Sequence, residues 1–276
     1  SGSLGAGSFA TKVDFAVNVR PADIALADID GDGKLDVIVP NNGSGNFSVL
    51  RNTATSGVIN SGSFATKVDI TAASSPAIVA VADIDGDGKL DVAVTNSVSN
   101  SITLHRNTST AGSVSFASSA SITGVSNPVS IVLTDIDGDS KPDMVSTNYV
   151  GNTIAVFRNI ATAGVLSSGS FASAITFATG ASPWGLREGD VDGDGKTDLI
   201  VTNNNGASIS ILRNTATSGS ITSSSFAAKV DFTTGAAPFH LDMGDLDGDG
   251  KADIALSSFS ANNLSVFRNT STSGTI

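Results

Sequence analysis

The sequence predicts an all-β protein, a single β-propeller of five four-stranded antiparallel blades. Two observations carry that expectation. A nine-residue aspartate-rich stretch recurs five times along the 276 residues. Around each copy stand the same four short runs of β-favouring residues, parted by Gly, Asn and Ser, and no segment has a helical period. Four strands per unit, repeated at this length, is the grammar of a propeller blade. The repeats run approximately over 17–70, 71–122, 123–177, 178–232 and 233–276, and form one domain.

In the first repeat, residues 21–27 make a first strand that leads into the aspartate stretch, and 35–39 make a second that leaves it. A polar turn at 41–46 separates these from a third strand at 47–51, and a Ser/Thr/Gly connection leads to a fourth at 63–70. The markers hold throughout. A proline stands seven residues before each stretch, at Pro21, Pro76, Pro128, Pro183 and Pro238. An Arg-Asn pair ends each third strand, with Arg51, Arg106, Arg158, Arg213 and Arg268. A Ser-Phe pair opens each fourth strand, with Phe9, Phe64, Phe116, Phe171 and Phe226, whose rings are expected to fill the space between blades.

The chain starts on a fourth-strand sequence at 8–15, and its last repeat stops after a third strand at 264–269. Pairing the two would close the ring and remove two open edges. Residues 8–15 are therefore expected to complete the blade of residues 238–269. The alternative is five blades of a larger propeller.

The recurring stretch is Asp28-Ile-Asp30-Gly-Asp32-Gly-Lys34-Leu-Asp36. Its later copies carry Asp83, Asp85, Asp87, Lys89 and Asp91; Asp135, Asp137, Asp139, Lys141 and Asp143; Asp190, Asp192, Asp194, Lys196 and Asp198; and Asp245, Asp247, Asp249, Lys251 and Asp253. Successive first aspartates lie 55, 52, 55 and 55 residues apart. Carboxylates at positions 1, 3, 5 and 9 of a tight loop can aim several oxygens at one hard cation. Ca²⁺ takes about six to eight oxygens at roughly 2.3–2.6 Å, carbonyls and waters among them. The first six residues follow the calcium pattern D-x-D-x-D-G. The backbone carbonyl of Lys34 and its equivalents is a candidate fifth ligand. Gly33 and its equivalents mark a sharp turn at positive φ. A solvated turn is the bland reading of one such loop, but five copies in register argue for about five Ca²⁺. The third copy has Ser140 for Gly and Pro142 at position 8, and keeps all four carboxylates. The third strand runs back towards these loops, so Arg51 and its equivalents are expected to donate to a carboxylate oxygen free of metal.

Composition agrees. The formal charge is −11, and 20 of the 26 acidic residues lie in the five loops, so five Ca²⁺ would leave about −1. The acidity is a metal-site signature. Lys and Arg are spread evenly through the repeats, which argues against a nucleic-acid partner. There is no Cys to form a disulfide, no signal peptide, and no apolar run long enough to insert in a membrane. Weak calcium sites fill only where calcium is millimolar. A secreted or cell-surface location of bacterial type and a monomeric state are therefore expected.

The five D-[IVL]-D-G-D-[GS]-K-x-D loops, each after its proline-containing strand, resemble the FG-GAP/VCBS repeat family, to which integrin α-subunit propellers and many bacterial surface proteins belong. The resemblance covers essentially the whole chain. It implies calcium in the loop between first and second strands of each blade. The Phe-Gly that names the family is missing, and only fragments such as Gly235-Ala-Ala-Pro238 match the rest of the name. The chain resembles the bacterial VCBS type more than an integrin. The family includes adhesion modules, lectin-like propellers and domains attached to polysaccharide-degrading enzymes.

A ligand site is sought among residues the repeats do not share. These are Arg20, Asp23, His105, Arg187, Glu188, His240 and Asp242, together with Trp184, the only Trp, and Phe239. All but His105 lie on or just before the first strands of the first, fourth and fifth repeats, which neighbour one another in a closed ring. Aromatic faces beside hydrogen-bonding groups suit a sugar ring, and Asn-rich turns nearby add amides. The bland reading pairs Arg187, Glu188 and Asp242 with one another and makes Trp184 a plug. Catalysis by Glu188 with Asp242 as acid and base, or by His240 with Arg187 as a lyase, is disfavoured. No nucleophile motif or catalytic-metal spacing accompanies them. A carbohydrate-binding module leads, ahead of a protein-adhesion or purely structural propeller.

Overall fold

The computed structural model describes residue 5 and residues 7–276. Every described element is a β-strand. The first sheet holds β1 (Ala25–Ala27), β2 (Asp36–Asn41), β3 (Asn46–Leu50) and β4 (Val68–Thr71). The second holds β5 (Pro76–Ala82), β6 (Asp91–Asn96), β7 (Ser101–His105) and β8 (Ala120–Ile122). The third holds β9 (Ile131–Thr134), β10 (Asp143–Asn148), β11 (Thr153–Phe157) and β12 (Ile175–Ala178). The fourth holds β13 (Pro183–Gly189), β14 (Asp198–Asn203), β15 (Ser208–Leu212) and β16 (Val230–Thr233). The fifth holds β17 (Pro238–Gly244), β18 (Asp253–Ser258) and β19 (Asn263–Phe267). All are antiparallel meanders in chain order, four of four strands and the last of three. They form propeller-like repeats.

Successive sheets stack face to face, with one apolar cluster at each junction. Phe47 and Val49 of the first sheet meet Val79 and Val92 of the second. Leu104 meets Met144 and Phe157 at the next junction. Val145 and Val156 meet Leu186 and Leu199 at the third, and Ile209 and Ile211 meet Leu241 and Leu256 at the fourth. Alternate residues of one strand serve opposite junctions, as Met144 and Val145 do, because successive side chains of a strand point to opposite faces. The second strands therefore carry adjacent apolar residues, such as Val37-Ile-Val39 in β2 and Leu199-Ile-Val201 in β14. The first strands of successive sheets lie side by side.

The fourth strands begin later than the Ser-Phe pairs. Phe64, Phe116, Phe171 and Phe226 sit in isolated bridges to the Asn of each Arg-Asn pair, and the ladder starts about four residues on. Rings of Phe116, Phe171 and Phe226 do fill junctions, Phe226 meeting Phe177 edge-on at 4.9 Å, but Phe9 does not: it is 82% exposed, because no sheet lies against it.

Residues 8–15 form no strand, and the fifth sheet lacks a fourth. Its contacts are with the first sheet, and they are those that a fourth-strand segment makes with the sheet after it, as Phe177 does with Phe226. Phe15 packs edge-on against Phe64 at 4.8 Å. The Asn18 backbone N–H donates to Asn41 Oδ1 (3.1 Å), the contact that Ala73 makes with Asn96. The outer faces of the first and fifth sheets are consequently open. Leu264 and Val266 are 69% and 54% exposed, whereas their fourth-sheet equivalents Ile209 and Ile211 are 0% and 3% exposed.

Candidate functional site: cation loops and an aromatic mouth

Each aspartate loop is wound by its own carboxylates. Asp28 Oδ1 accepts from the N–H groups of Gly31 (2.9 Å) and Asp32 (3.1 Å), and its Oδ2 accepts from Gly33 (2.8 Å). Asp32 Oδ1 accepts from Lys34 N–H at 3.0 Å. Gly31 and Gly33 take φ of 73° and 87°, a region that costs other residues about 1–2 kcal/mol. Ser140 accepts that cost: its φ is 66°, and its N–H still donates to Asp135 Oδ2 at 2.8 Å. The third loop thus keeps the shape of the others.

The closing aspartate is a staple as well as a candidate ligand. Asp36 Oδ2 accepts from Ile29 N–H (3.0 Å), and its Oδ1 accepts from Asn52 N–H (2.7 Å), tying the loop to the end of β3. Burial pushes the carboxyls of Asp91, Asp143 and Asp198 up to about 6, opposed by the N–H groups of Asn107, Asn159 and Asn214.

In every loop, three carboxylates bring oxygens within 4.8 Å of one another. The groups are Asp28, Asp30 and Asp32; Asp83, Asp85 and Asp91; Asp135, Asp137 and Asp143; Asp190, Asp192 and Asp194; and Asp245, Asp247 and Asp253. One carboxylate oxygen of these groups, Asp137 Oδ1, is buried with no hydrogen-bond partner. A buried carboxylate oxygen left bare is costly, and a hard cation among these oxygens would satisfy it. The loops can therefore hold metal ions.

The strand-end arginines reach the loops as expected. Arg158 Nε donates to Asp137 Oδ2 (2.6 Å) and its Nη2 to Asp139 Oδ2 (2.8 Å). Arg106 spans Asp85 and Asp87 in the same way, and Arg268 spans Asp247 and Asp249. Arg51 and Arg213 stand farther off, at 3.8 and 4.0 Å. The loop lysines act through their side chains: Lys141 Nζ donates to the Ala161 carbonyl at 3.0 Å, and Lys89, Lys196 and Lys251 do likewise twenty residues along.

The Asn of each Arg-Asn pair is the residue that sequence reasoning passed over. Asn159 Nδ2 donates to Pro142 O of its own loop (3.0 Å) and to Ile84 O of the preceding loop (2.8 Å). Asn107, Asn214 and Asn269 bracket Ile29, Ile136 and Val191 identically. The following repeat also lays a glycine on the loop, since Gly112 N–H donates to Asp30 Oδ2 at 2.8 Å. Each of the first four aspartate loops is thus a joint between two sheets. The recurrence of Asn after Arg was the available signal.

The first strands converge on two cavities. One, of 340 Å³, is lined by Arg20, Asn42, Ser97, Trp184, Phe239 and His240 among others. The second, of 230 Å³, shares Trp184 and His240 and adds Asp23 and Arg187. Trp184 and Phe239 form a tilted pair with centroids 4.4 Å apart. Tyr149 and Phe259, not foreseen from sequence, extend the pair, the first edge-on to Trp184 at 5.6 Å and the second 6.0 Å from Phe239. Gly185 permits this ledge. A Cβ there would lie 2.6 Å from the Phe239 carbonyl, and the buried Thr202 accepts from Gly185 N–H while donating to the same carbonyl, both at 2.8 Å. Burial, with Arg187 close by, holds the His240 imidazole below its usual range despite Asp23, so it is neutral at pH 7.

Six of the eight proposed ligand residues are thereby brought together. Glu188 and Asp242 line neither cavity. Asp242 is exposed and stands 3.8 Å from Arg187. Glu188 does not join that pair: it turns inward, its carboxyl is raised by burial, and its Oε2 has no partner. His105 lies apart, buried between the first and second sheets against Phe47 and Phe116.

Fold and loops together define a propeller-like repeat protein with a candidate cation loop in every sheet. The FG-GAP-like repeat model matches residues 40–94, 83–146, 135–201 and 190–256, and the FG-GAP repeat model matches 21–56. The chain belongs to the FG-GAP repeat family. No curated protein matches the sequence. Among solved structures, it is similar to a functionally unknown protein from Desulfotomaculum acetoxidans, at 15% identity and a TM-score of 0.56 over 92% of this chain and 71% of that one. It is similar also to virginiamycin B lyase from Staphylococcus aureus, at 14% identity and a TM-score of 0.53 over 91% of this chain and 70% of that one. The V. cholerae biofilm matrix protein Bap1 matches at 15% identity and a TM-score of 0.50 over 92% of this chain and 39% of that one. At these identities the likeness is one of fold. No helix among the described residues is long and apolar enough to cross a membrane.

Proposed function

We propose that this protein is an extracellular, calcium-stabilised binding module that takes a carbohydrate at the aromatic mouth. The observation that carries the reading is the Trp184–Phe239 ledge beside a 340 Å³ cavity edged by Arg20, Asn42 and the neutral His240. A pyranose presents an apolar face to such a ledge and hydroxyls to its rim. About five Ca²⁺ occupy the aspartate loops. They act on stability rather than on the ligand, because a first strand of seven residues separates loop from mouth by roughly 23 Å at ~3.3 Å per residue. Weak calcium sites fill only where calcium is millimolar, and a secreted or surface location is part of this reading. Glycan-array binding that disappears in Trp184→Ala is the expected result. Silence on the array from a folded protein would leave the adhesion or structural reading, and turnover of a polysaccharide abolished by Glu188→Gln would make it an enzyme.

The reading includes a closed ring of five blades, with residues 8–15 as the missing fourth strand beside β19. A groove of 370 Å³, lined by Phe232, Phe267 and Ile276, supports this. In the third-to-fourth junction the place facing Phe177, the equivalent of Phe232, is taken by Phe226. Phe9, in the same Ser-Phe context, is 82% exposed. Asn52 Nδ2 donates only to Leu35 O, and the loop carbonyl it would bracket by analogy belongs to Leu246, whose side chain is 61% exposed. A Phe9→Ser variant is expected to lose cooperativity of unfolding.

A further inference from the structure

Arg20 is out of keeping with its repeat. The residue before the marker proline has positive φ in all five sheets: Arg20 (57°), Ser75 (58°), Asn127 (49°), Ser182 (57°) and Ala237 (54°). Asn tolerates that region best among non-glycine residues, and small residues fill the other three places. A long cationic side chain gains nothing there from the backbone.

The side chain also lacks the partner that the other arginines have. The chain contains seven arginines. Among the described residues, Arg51, Arg106, Arg158, Arg187, Arg213 and Arg268 each stand within 4.0 Å of an aspartate oxygen, and Arg20 does not. In a protein of formal charge −11, an unpaired guanidinium stands out. It lies over Gly43, its Cδ 3.3 Å from where a Cβ would sit, and lines the 340 Å³ cavity with Trp184, Phe239 and His240. With His240 neutral, Arg20 is the only formal charge on that cavity's lining.

We infer that the mouth selects sugars that carry a carboxylate, as uronic-acid polysaccharides do. This rests on the carbohydrate reading above and adds its charge. The guanidinium offers a planar pair of donors that matches a carboxylate bidentately. The pyranose bearing it lies on the Trp184–Phe239 ledge, and His240 and Asn42 meet its hydroxyls. The low polarity of the ledge strengthens the pairing.

The test uses the calcium-loaded protein on a panel of polygalacturonate, alginate and hyaluronate, each beside its carboxyl-reduced form, with a sulfated glycan as a further arm. Binding at least tenfold tighter to an acidic form than to its reduced counterpart is expected. Arg20→Ser, which installs the residue found at positions 75 and 182, should erase that preference and leave the weaker binding of the reduced form. Its melting temperature should match or exceed that of the parent, which separates lost recognition from lost folding. Equal binding of acidic and reduced forms, a preference for sulfate without one for carboxylate, or a preference that survives Arg20→Ser would overturn this inference and leave the carbohydrate reading standing. Silence across the whole panel, reduced forms included, would overturn both.

Discussion

Replacing His105 by Leu should stabilise the protein, and more so in acid. His105 ends β7 and stands where the other third strands carry Leu50, Phe157, Leu212 and Phe267. It is buried between the first two sheets, its Nε2 has no partner, and burial pushes its imidazole down from 6.5 to about 4. An orphaned buried polar atom costs about 1–3 kcal/mol, so His105→Leu is expected to gain about that much near pH 7. The acid effect follows from linkage. A base whose pKa is lower in the folded state binds its proton preferentially when unfolded. Stability is therefore whole above about 6.5 and is lost as the pH falls towards 4. At ~1.36 kcal/mol per pH unit, the loss reaches about 2 kcal/mol by about pH 5 and about 3 kcal/mol at the end of the window. In the calcium-free protein Asp91, Asp143 and Asp198 act oppositely, because burial raises their carboxyls to about 6 and the folded state takes up protons between 6 and 3.8. The wild-type profile mixes the two signs; the variant-minus-wild-type difference cancels the aspartates. Urea unfolding of both proteins near pH 7 and near pH 5, in excess calcium, reads that difference. It should widen by about 2 kcal/mol on acidification. A difference that is flat with pH would refute the buried neutral imidazole.

Chelation with EGTA should lower the melt by many degrees. At ten times Kd each filled site contributes about 1.4 kcal/mol, so five contribute roughly 7 kcal/mol of a typical 5–15 kcal/mol. Elemental analysis should find about five calcium per chain, and an unchanged melt would make the loops ordinary turns. Asn159→Ala strips donors from Ile84 O and Pro142 O and should cost about 2–4 kcal/mol. In a closed ring Asn52→Ala costs as much; a cost less than half of that means the fifth sheet does not dock on the first. Gly185→Ala places a Cβ 2.6 Å from the Phe239 carbonyl and should cost about 1–3 kcal/mol. It should also shift the emission of Trp184, the single Trp, and an unshifted spectrum would show that the ledge does not depend on that close approach.

The period, the antiparallel strand order within each repeat, the turns and the aspartate loops were legible in the order of residues. They are local features. A D-x-D-x-D-G run winds around its own N–H groups, and alternating apolar residues need only a face on each side. The strand-end arginines were legible for the same reason, since antiparallel pairing returns each one to its own loop. What joins one repeat to the next was not. Asn159 reaches a carbonyl on Ile84, 75 residues earlier, and a carbonyl has no sequence signature. Nor could composition separate Arg187, which lines a cavity, from the adjacent Glu188, which turns inward: successive residues of a strand take opposite faces, and the bulge between Pro183 and Leu186 sets which of them faces the cavity. Tyr149 and Phe259 joined the aromatic ledge from turns of two different sheets, a proximity that only the stacking of sheets creates. The pairing of residues 8–15 with β19 matched in sequence, yet the segment forms no strand there, and Phe15 keeps only the contact with Phe64 of the next sheet. Residue identity dictated which strand that segment resembles. Where it lies depends on how closely the two end sheets approach, a sum of small rotations at four junctions that the sequence of one repeat does not contain.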